Sequence, residues 1–238
     1  MVIVSKTFLV CCRMLRFLPA IFLAAASTGA VAQDAERIKA LLAVCSSCHG
    51  QDGVALGEDI PSLGGQNEAY LHGTLTDFKE GKRPSATMRG MTRDLDDGDI
   101  RALARHYAAQ PYVRKPQEVD ASRAAGGREV YQRLCQLCHL DEGRTTTYAE
   151  YPLLAGQSLA YMQKQMKLIL DKRRSVEVVK RDMLDLLSRP QIEDAMQFFA
   201  GQRVAPEQVS GGLTTPDKRT RRRRFRSDPL PEDPAAPD

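Results

Sequence analysis

The sequence has no tryptophan, and tyrosine and phenylalanine contribute only seven residues each to 238. Such a chain has little aromatic mass with which to build a large core. Histidine is scarce too, at four residues, which leaves few imidazoles for acid–base work or metal binding. Beyond the N-terminus no apolar run approaches the roughly 20 residues of a membrane-spanning helix. No serine-nucleophile motif, phosphate loop or carboxylate cluster marks a hydrolytic or nucleotide-handling site. No segment alternates in the manner of a strand, so the expected fold class is all-α.

What the chain does have begins at its N-terminus. Lys6, Arg13 and Arg16 precede an apolar run from Phe17 to Ala26, and Ala30-Val31-Ala32 supplies small residues for cleavage. Residues 1–32 read as an export signal cut before Gln33, with an uncleaved N-terminal anchor as the alternative and Met14 as a second candidate start. The signal removes three basic and no acidic side chains, so the net charge falls from +4 to +1. It also removes Cys11 and Cys12, leaving Cys45, Cys48, Cys135 and Cys138. An even number of cysteines in an exported chain ordinarily suggests disulfides. The histidine that follows each pair points elsewhere.

The chain contains itself twice. Cys45-Ser46-Ser47-Cys48-His49 recurs as Cys135-Gln136-Leu137-Cys138-His139 at a shift of 90 residues. Pro61-Ser62-Leu63-Gly64-Gly65-Gln66 recurs as Pro152-Leu153-Leu154-Ala155-Gly156-Gln157 at a shift of 91. Tyr70 matches Tyr161, Lys82-Arg83 matches Arg173-Arg174, and Ile100 matches Ile192, all in order. Two domains are expected, residues 33–110 and 121–202, joined by a Pro-bearing linker, residues 111–120, and followed by a tail, residues 203–238. In the first unit Asp34, Asn67 and Asp96 stand at expected helix starts. In the second, Ser158 does so, and Ser188 with Gln191 has the form of a capping box.

A Cys-x-x-Cys-His run is the attachment signature of c-type haem: two thiols on one side of a helix end, and an imidazole beside them for the iron. The rivals are zinc, a redox dithiol and a structural disulfide. Paired zinc motifs want roughly 15–20 residues between the pairs, whereas 86 separate Cys48 from Cys135. A thioredoxin-like dithiol needs a βαβ context that the pattern lacks. Units of about 80 residues bury little apolar surface for their size, and a covalent, mostly apolar macrocycle in each would complete the core.

With these motifs the chain resembles the dihaem cytochrome c4 family, two class I cytochrome c domains in tandem, over roughly residues 35–202. The resemblance is carried by Cys-x-x-Cys-His-Gly at Cys45–Gly50, the Pro-x-Leu-x-Gly-Gln runs at Pro61 and Pro152, the helices bearing Tyr70 and Tyr161, and the Met88-Arg89-Gly90-Met91 segment. It implies two covalently bound haem c groups held by Cys45, Cys48, Cys135 and Cys138, with His49 and His139 as iron ligands. It further implies that the carbonyls of Pro61 and Pro152 orient those histidines, although either proline also suits an ordinary turn. The family's sixth ligand lies seven residues before the leucine opening the last helix, which here is Met88 before Leu95. Met91 is expected to pack. The second unit departs from the pattern, because Lys180 stands seven residues before Leu187 and the methionine nearby is Met183. Met183, Lys180 or an open site would complete that iron; baring a free lysine amine at pH 7 costs about 4–5 kcal/mol, which favours Met183. His72 and His106 have no repeat partner and are expected to serve surface or core.

The resemblance implies a periplasmic electron carrier rather than an enzyme, linking a membrane quinol-oxidising complex to a terminal oxidase. Alternatives are a haem subunit of an exported dehydrogenase, and a ligand-binding or reactive site at the second haem. Seven basic residues fall within residues 218–226, where they suit an acidic redox partner or an anionic membrane surface. Residues 33–215 carry 24 basic and 25 acidic side chains, so positive charge is concentrated in the tail. Export argues against nucleic acid as a partner.

Overall fold

The computed structural model describes residues 19–204 of the chain; the expected signal as far as residue 18 and the tail from residue 205 lie outside the described residues. Among the described residues, eight α-helices carry the architecture. In the first half they are α1 (Pro19–His49), α2 (Glu68–Lys79), α3 (Ala86–Thr92) and α4 (Asp97–Ala108). In the second they are α5 (Ala121–Arg133), α6 (Leu159–Leu170), α7 (Val178–Asp185) and α8 (Arg189–Ala200). Among the described residues no helix is long and apolar enough to cross a membrane. Among the described residues, extended structure is confined to two dipeptides, β1 (His139–Leu140) and β2 (Thr145–Thr146), paired antiparallel with His139 opposite Thr146. They close a turn in which Asp141 and Glu142 take positive φ, a geometry with no pattern signal at this length.

Local chemistry sets most helix ends. Asp96 accepts from the Asp99 N–H at 2.8 Å while Asp99 accepts from the Asp96 N–H at 3.0 Å, so each satisfies a donor that the start of α4 leaves unpaired. Ser188 and Gln191 do the same for α8. Two expected starts differ. Helix α1 runs through position 34 without interruption, so no helix starts there. Asn67 does precede α2, but its side chain makes no capping bond; its amide instead donates to Thr146 Oγ1 at 2.8 Å and to the Tyr151 carbonyl at 2.7 Å in the other half.

In each half, apolar side chains from the first and last helices meet those of the helix between. Leu71, Ala104, Tyr107, Leu95, Ile100 and Leu103 are buried in the first half, against Leu41, Leu42 and Cys45 of α1. The second half buries Tyr131, Met162, Ile192, Met196, Phe198 and Phe199, with Cys135 packed against them. A cysteine of each pair is thus part of its half's core.

Residues 111–120 form no helix or strand, as a linker should, yet they are not slack. Tyr112 is 1% exposed and packs on Leu153 and Ala155, and its hydroxyl donates to the Ala155 carbonyl at 2.8 Å. Arg114 donates to the Gly64 carbonyl at 2.9 Å, and Gln117 to that of Gln157 at 2.9 Å. The segment fastens the first half to the second.

Candidate functional site

A cavity of about 640 Å³ runs between the halves, and both contribute its walls. Cys45, His49, Pro61 and Met88 line it from the first half; Cys135, Cys138, His139, Pro152, Lys180 and Met183 line it from the second. Cys45 and Cys48 lie three residues apart in the last turn of α1 and so share a side of the helix. Cys48 is exposed there. In the second half α5 stops at Arg133, Leu134 leaves helical geometry, and a 3₁₀ turn over Cys135–Leu137 carries the pair. All four thiols are free of disulfide bonds.

Each motif histidine is held in one state. His49 Nδ1 lies 2.9 Å from the Pro61 carbonyl oxygen, and His139 Nδ1 lies 3.1 Å from that of Pro152. A carbonyl only accepts, so Nδ1 carries the proton and Nε2 keeps its lone pair. Burial pushes both imidazoles below the usual histidine range. For His139, burial and then the nearby Lys180 charge bring the pKa to about 3, against the opposing pull of the Pro152 carbonyl. For His49 burial outweighs the Pro61 bond. Both rings are therefore neutral at physiological pH, as a metal ligand must be.

The two turns that supply these prolines depend on glycine. Gly65 and Gly156 have φ of +67° and +64°, and each N–H donates to the last helix of its own half, to Tyr107 at 2.9 Å and Phe199 at 2.8 Å. The left-handed turn directs the next residue, Gln66 or Gln157, across to the other half. Gln66 donates to the Leu153 carbonyl at 3.0 Å and accepts from the Leu153 N–H at 2.7 Å. Gln157 donates to the Ser62 carbonyl at 2.9 Å and accepts from the Ser62 N–H at 3.0 Å. The sequence repeats both glutamines at the shift of their prolines, which is the signal that would have found them.

The methionines divide. Met88 is half-buried on the cavity wall, whereas Met91 is 53% exposed, so the expectation that it packs is overturned. Helix α3 turns positions 88 and 92 inward, Thr92 being buried, and leaves 91 outside that stripe. In the second half Lys180 and Met183 both face the cavity from α7. Burial, then the Arg174 charge, lowers the Lys180 amine to about 8. His72 sits 3.1 Å from Asp97 at the surface and His106 packs edge-on to Tyr107; neither lines the cavity.

The rivals fare poorly. Among the described residues no three His, Cys, Asp or Glu side chains converge as they would to hold an ion. Reactive Cys-x-x-Cys thiols need a depressed pKa, but burial raises Cys45 and pushes Cys135 up to about 11. Haem fits instead. The walls are largely apolar side chains, the thiols are free, and the imidazoles present bare nitrogens. A helical pair with a Cys-x-x-Cys-His site in each half defines a c-type cytochrome of class I.

Comparison with known proteins makes this specific. The profile of the family described as cytochrome c oxidase, cbb3-type, subunit III matches residues 31–106. Cytochrome c4 of Azotobacter vinelandii is 31% identical over 188 residues, covering 71% of this chain and 90% of the relative. A thiosulfate dehydrogenase electron acceptor of Thiomonas intermedia is 31% identical over 180 residues, covering 69% and 81%. The crystal structure of reduced recombinant cytochrome c4 from Pseudomonas stutzeri superposes with a TM-score of 0.62 at 28% identity, covering 71% of this chain and 98% of that one. The chain belongs to the dihaem cytochrome c4 family. It is an electron carrier rather than an enzyme, with two covalently bound haem c groups.

Proposed function

We propose that Cys45, Cys48, Cys135 and Cys138 form the thioether links to the two haems. His49 and His139 give each iron its first protein nitrogen, and Met88 and Met183 its sulfur. The domains are residues 33–110 and 121–202, joined by residues 111–120. Haem c, when bound, supplies a one-electron ferric–ferrous couple. The observation that carries this reading is the pairing of His49 with Pro61 and His139 with Pro152, which leaves an Nε2 lone pair in each half. These bonds fix ring orientation and raise ligand basicity. Sulfur is a soft donor that favours the ferrous state and raises the potential. With an imidazole and a sulfur held ready for it in each half, a bound iron would have no place for substrate and would exchange only electrons.

Lys180 is the competitor of Met183. With its amine lowered to about 8, exposing the free base at pH 7 costs about 1.4 kcal/mol, far less than for a free lysine. Absorption and EPR spectra of the holoprotein beside Met183→Ala and Lys180→Ala decide the ligand. Loss of the low-spin signal of one haem in Met183→Ala, and its persistence in Lys180→Ala, is the expected pair. The reverse pair assigns Lys180. Carbon monoxide binding to the reduced wild type would reveal a reactive second haem instead of a carrier.

The exported protein would act in the periplasm, accepting electrons from a membrane quinol-oxidising complex and delivering them to a terminal oxidase. Similarity to a thiosulfate dehydrogenase electron acceptor supports a second reading, in which an exported dehydrogenase is the donor. In that case the basic tail is the dock, and deleting residues 203–238 should abolish co-purification with the catalytic chain. A tail serving an anionic membrane surface would instead lose vesicle binding in the same deletion.

A further inference from the structure

Each histidine–proline bond continues through a peptide group into the opposite half. The Pro61 carbonyl that accepts from His49 belongs to the same peptide unit as the Ser62 N–H, and that N–H donates to Gln157 Oε1 at 3.0 Å. The mirror unit joins Pro152 to Leu153, whose N–H donates to Gln66 Oε1 at 2.7 Å. Gln66 and Gln157 are 3% and 4% exposed. Their amide orientation is fixed, because each Nε2 faces a carbonyl while each Oε1 accepts a second N–H, from Asn67 and Ser158, at 3.0 Å.

We propose that Gln157 sets the potential of the haem held by His49, and Gln66 that of the haem held by His139, each acting through a peptide group of the other half. The proposal rests on the ligation by His49 and His139 put forward above. Hydrogen bonds in series polarise one another inside a protein. An acceptor on the Ser62 N–H makes the Pro61 oxygen more negative and so draws harder on the His49 proton. The ring gains imidazolate character, becomes a stronger donor and favours ferric iron, which lowers the potential. Gln66 and Gln157 are positioning residues, and neither touches the metal. The crossed arrangement makes each site dependent on the docking of the other half.

The test is a redox titration of the holoprotein, following haem-methyl NMR signals assigned to each half by their contacts with that half's residues. Gln157→Leu removes the acceptor from the Ser62 N–H. It should raise the potential of the first-half haem, changing the ratio of oxidised to reduced protein roughly threefold at fixed potential, about 28 mV at 59 mV per tenfold. The second-half haem should hardly move. Gln66→Leu should give the mirror result. Gln157→Glu keeps an acceptor for the Ser62 N–H in either protonation state and should not raise the potential; it also serves if the leucine variant fails to accumulate. A purely structural role for Gln157 predicts that loosening the halves admits water to both haems, stabilises ferric iron and lowers both potentials. Falling potentials in the leucine variant, an unmoved first haem, or a rise in Gln157→Glu each overturn the proposal. Absence of haem from the wild-type chain would refute the ligation itself, and is seen separately by intact mass before any titration.

Discussion

Arg83, carried by the first half, donates a hydrogen bond to the Tyr161 hydroxyl of the second. It also donates to Tyr70 at 3.4 Å, Thr74 at 3.2 Å and Gln165 at 2.9 Å, and lies over the Phe78 ring at 4.8 Å. It is 2% exposed, so these neutral acceptors replace its water. Substituting Arg83→Leu strands the two phenols in a buried interface, while Gln165 keeps its bond from Arg174, and should cost about 2–5 kcal/mol. Arg83→Lys, with one point charge in place of a planar fork, should recover only part. Guanidinium denaturation followed by far-UV circular dichroism measures both, and an unchanged midpoint in Arg83→Leu would contradict the assignment.

The glycines before the two bridging glutamines should tolerate alanine unequally. A Cβ on Gly65 would stand 2.6 Å from the Tyr112 Cβ and 2.7 Å from its Cα, atoms that cannot swing away. On Gly156 it would meet the Gln202 carbonyl at 2.9 Å and the Arg114 side chain at 3.0 Å. Both also incur the left-handed penalty of about 1–2 kcal/mol. Gly65→Ala should lose about 2–4 kcal/mol and Gly156→Ala less, as read from urea midpoints.

Much of this was legible in the sequence, and the part that was not has a common cause. The repeat, the Cys-x-x-Cys-His sites and the Ser188–Gln191 cap depend on residues near one another in the chain, so spacing alone exposes them. The repeat marks Gln66 and Gln157 as a pair, but what they bond, and the role of Asn67, depend on how one half meets the other, which no local pattern encodes. The same holds for residues 111–120: two prolines marked an irregular segment, but the burial of Tyr112 follows from surfaces supplied by Leu153 and Ala155. Met91 was misread because α3 is seven residues long, too short for periodicity to separate an inward from an outward methionine.

Acid should weaken the first half through Asp99. Arg37 Nε and Nη2 donate to its two oxygens at 2.8 and 2.6 Å, and with the Asp96 N–H they hold the carboxyl below its usual range against the opposing effect of burial. A depressed folded pKa gives stabilisation that is fully present above the unfolded value near 3.9 and is lost as pH falls through the folded one. Arg37 is half-exposed, so screening keeps the gain to about 1 kcal/mol. Thermal midpoints from pH 7 to pH 2 should show this loss in the wild type. Asp99→Asn should start lower and fall less steeply over the same range.

The charge on Lys180 should make the second haem sensitive to pH. Its field already depresses His139, so the ammonium lies within electrostatic reach of the proposed iron site. A positive charge disfavours ferric iron and raises the potential. At roughly 10 Å and an effective dielectric of about 20, a unit charge is worth about 1.7 kcal/mol. Because the amine titrates at about 8, the second-half potential should decline as pH rises through that value and level off above it. Lys180→Gln removes the charge at every pH, so its second-half potential should be low at pH 7 and flat to pH 9. A wild-type second haem whose potential is unchanged between pH 7 and 9 would mean that Lys180 does not act on the iron through its charge.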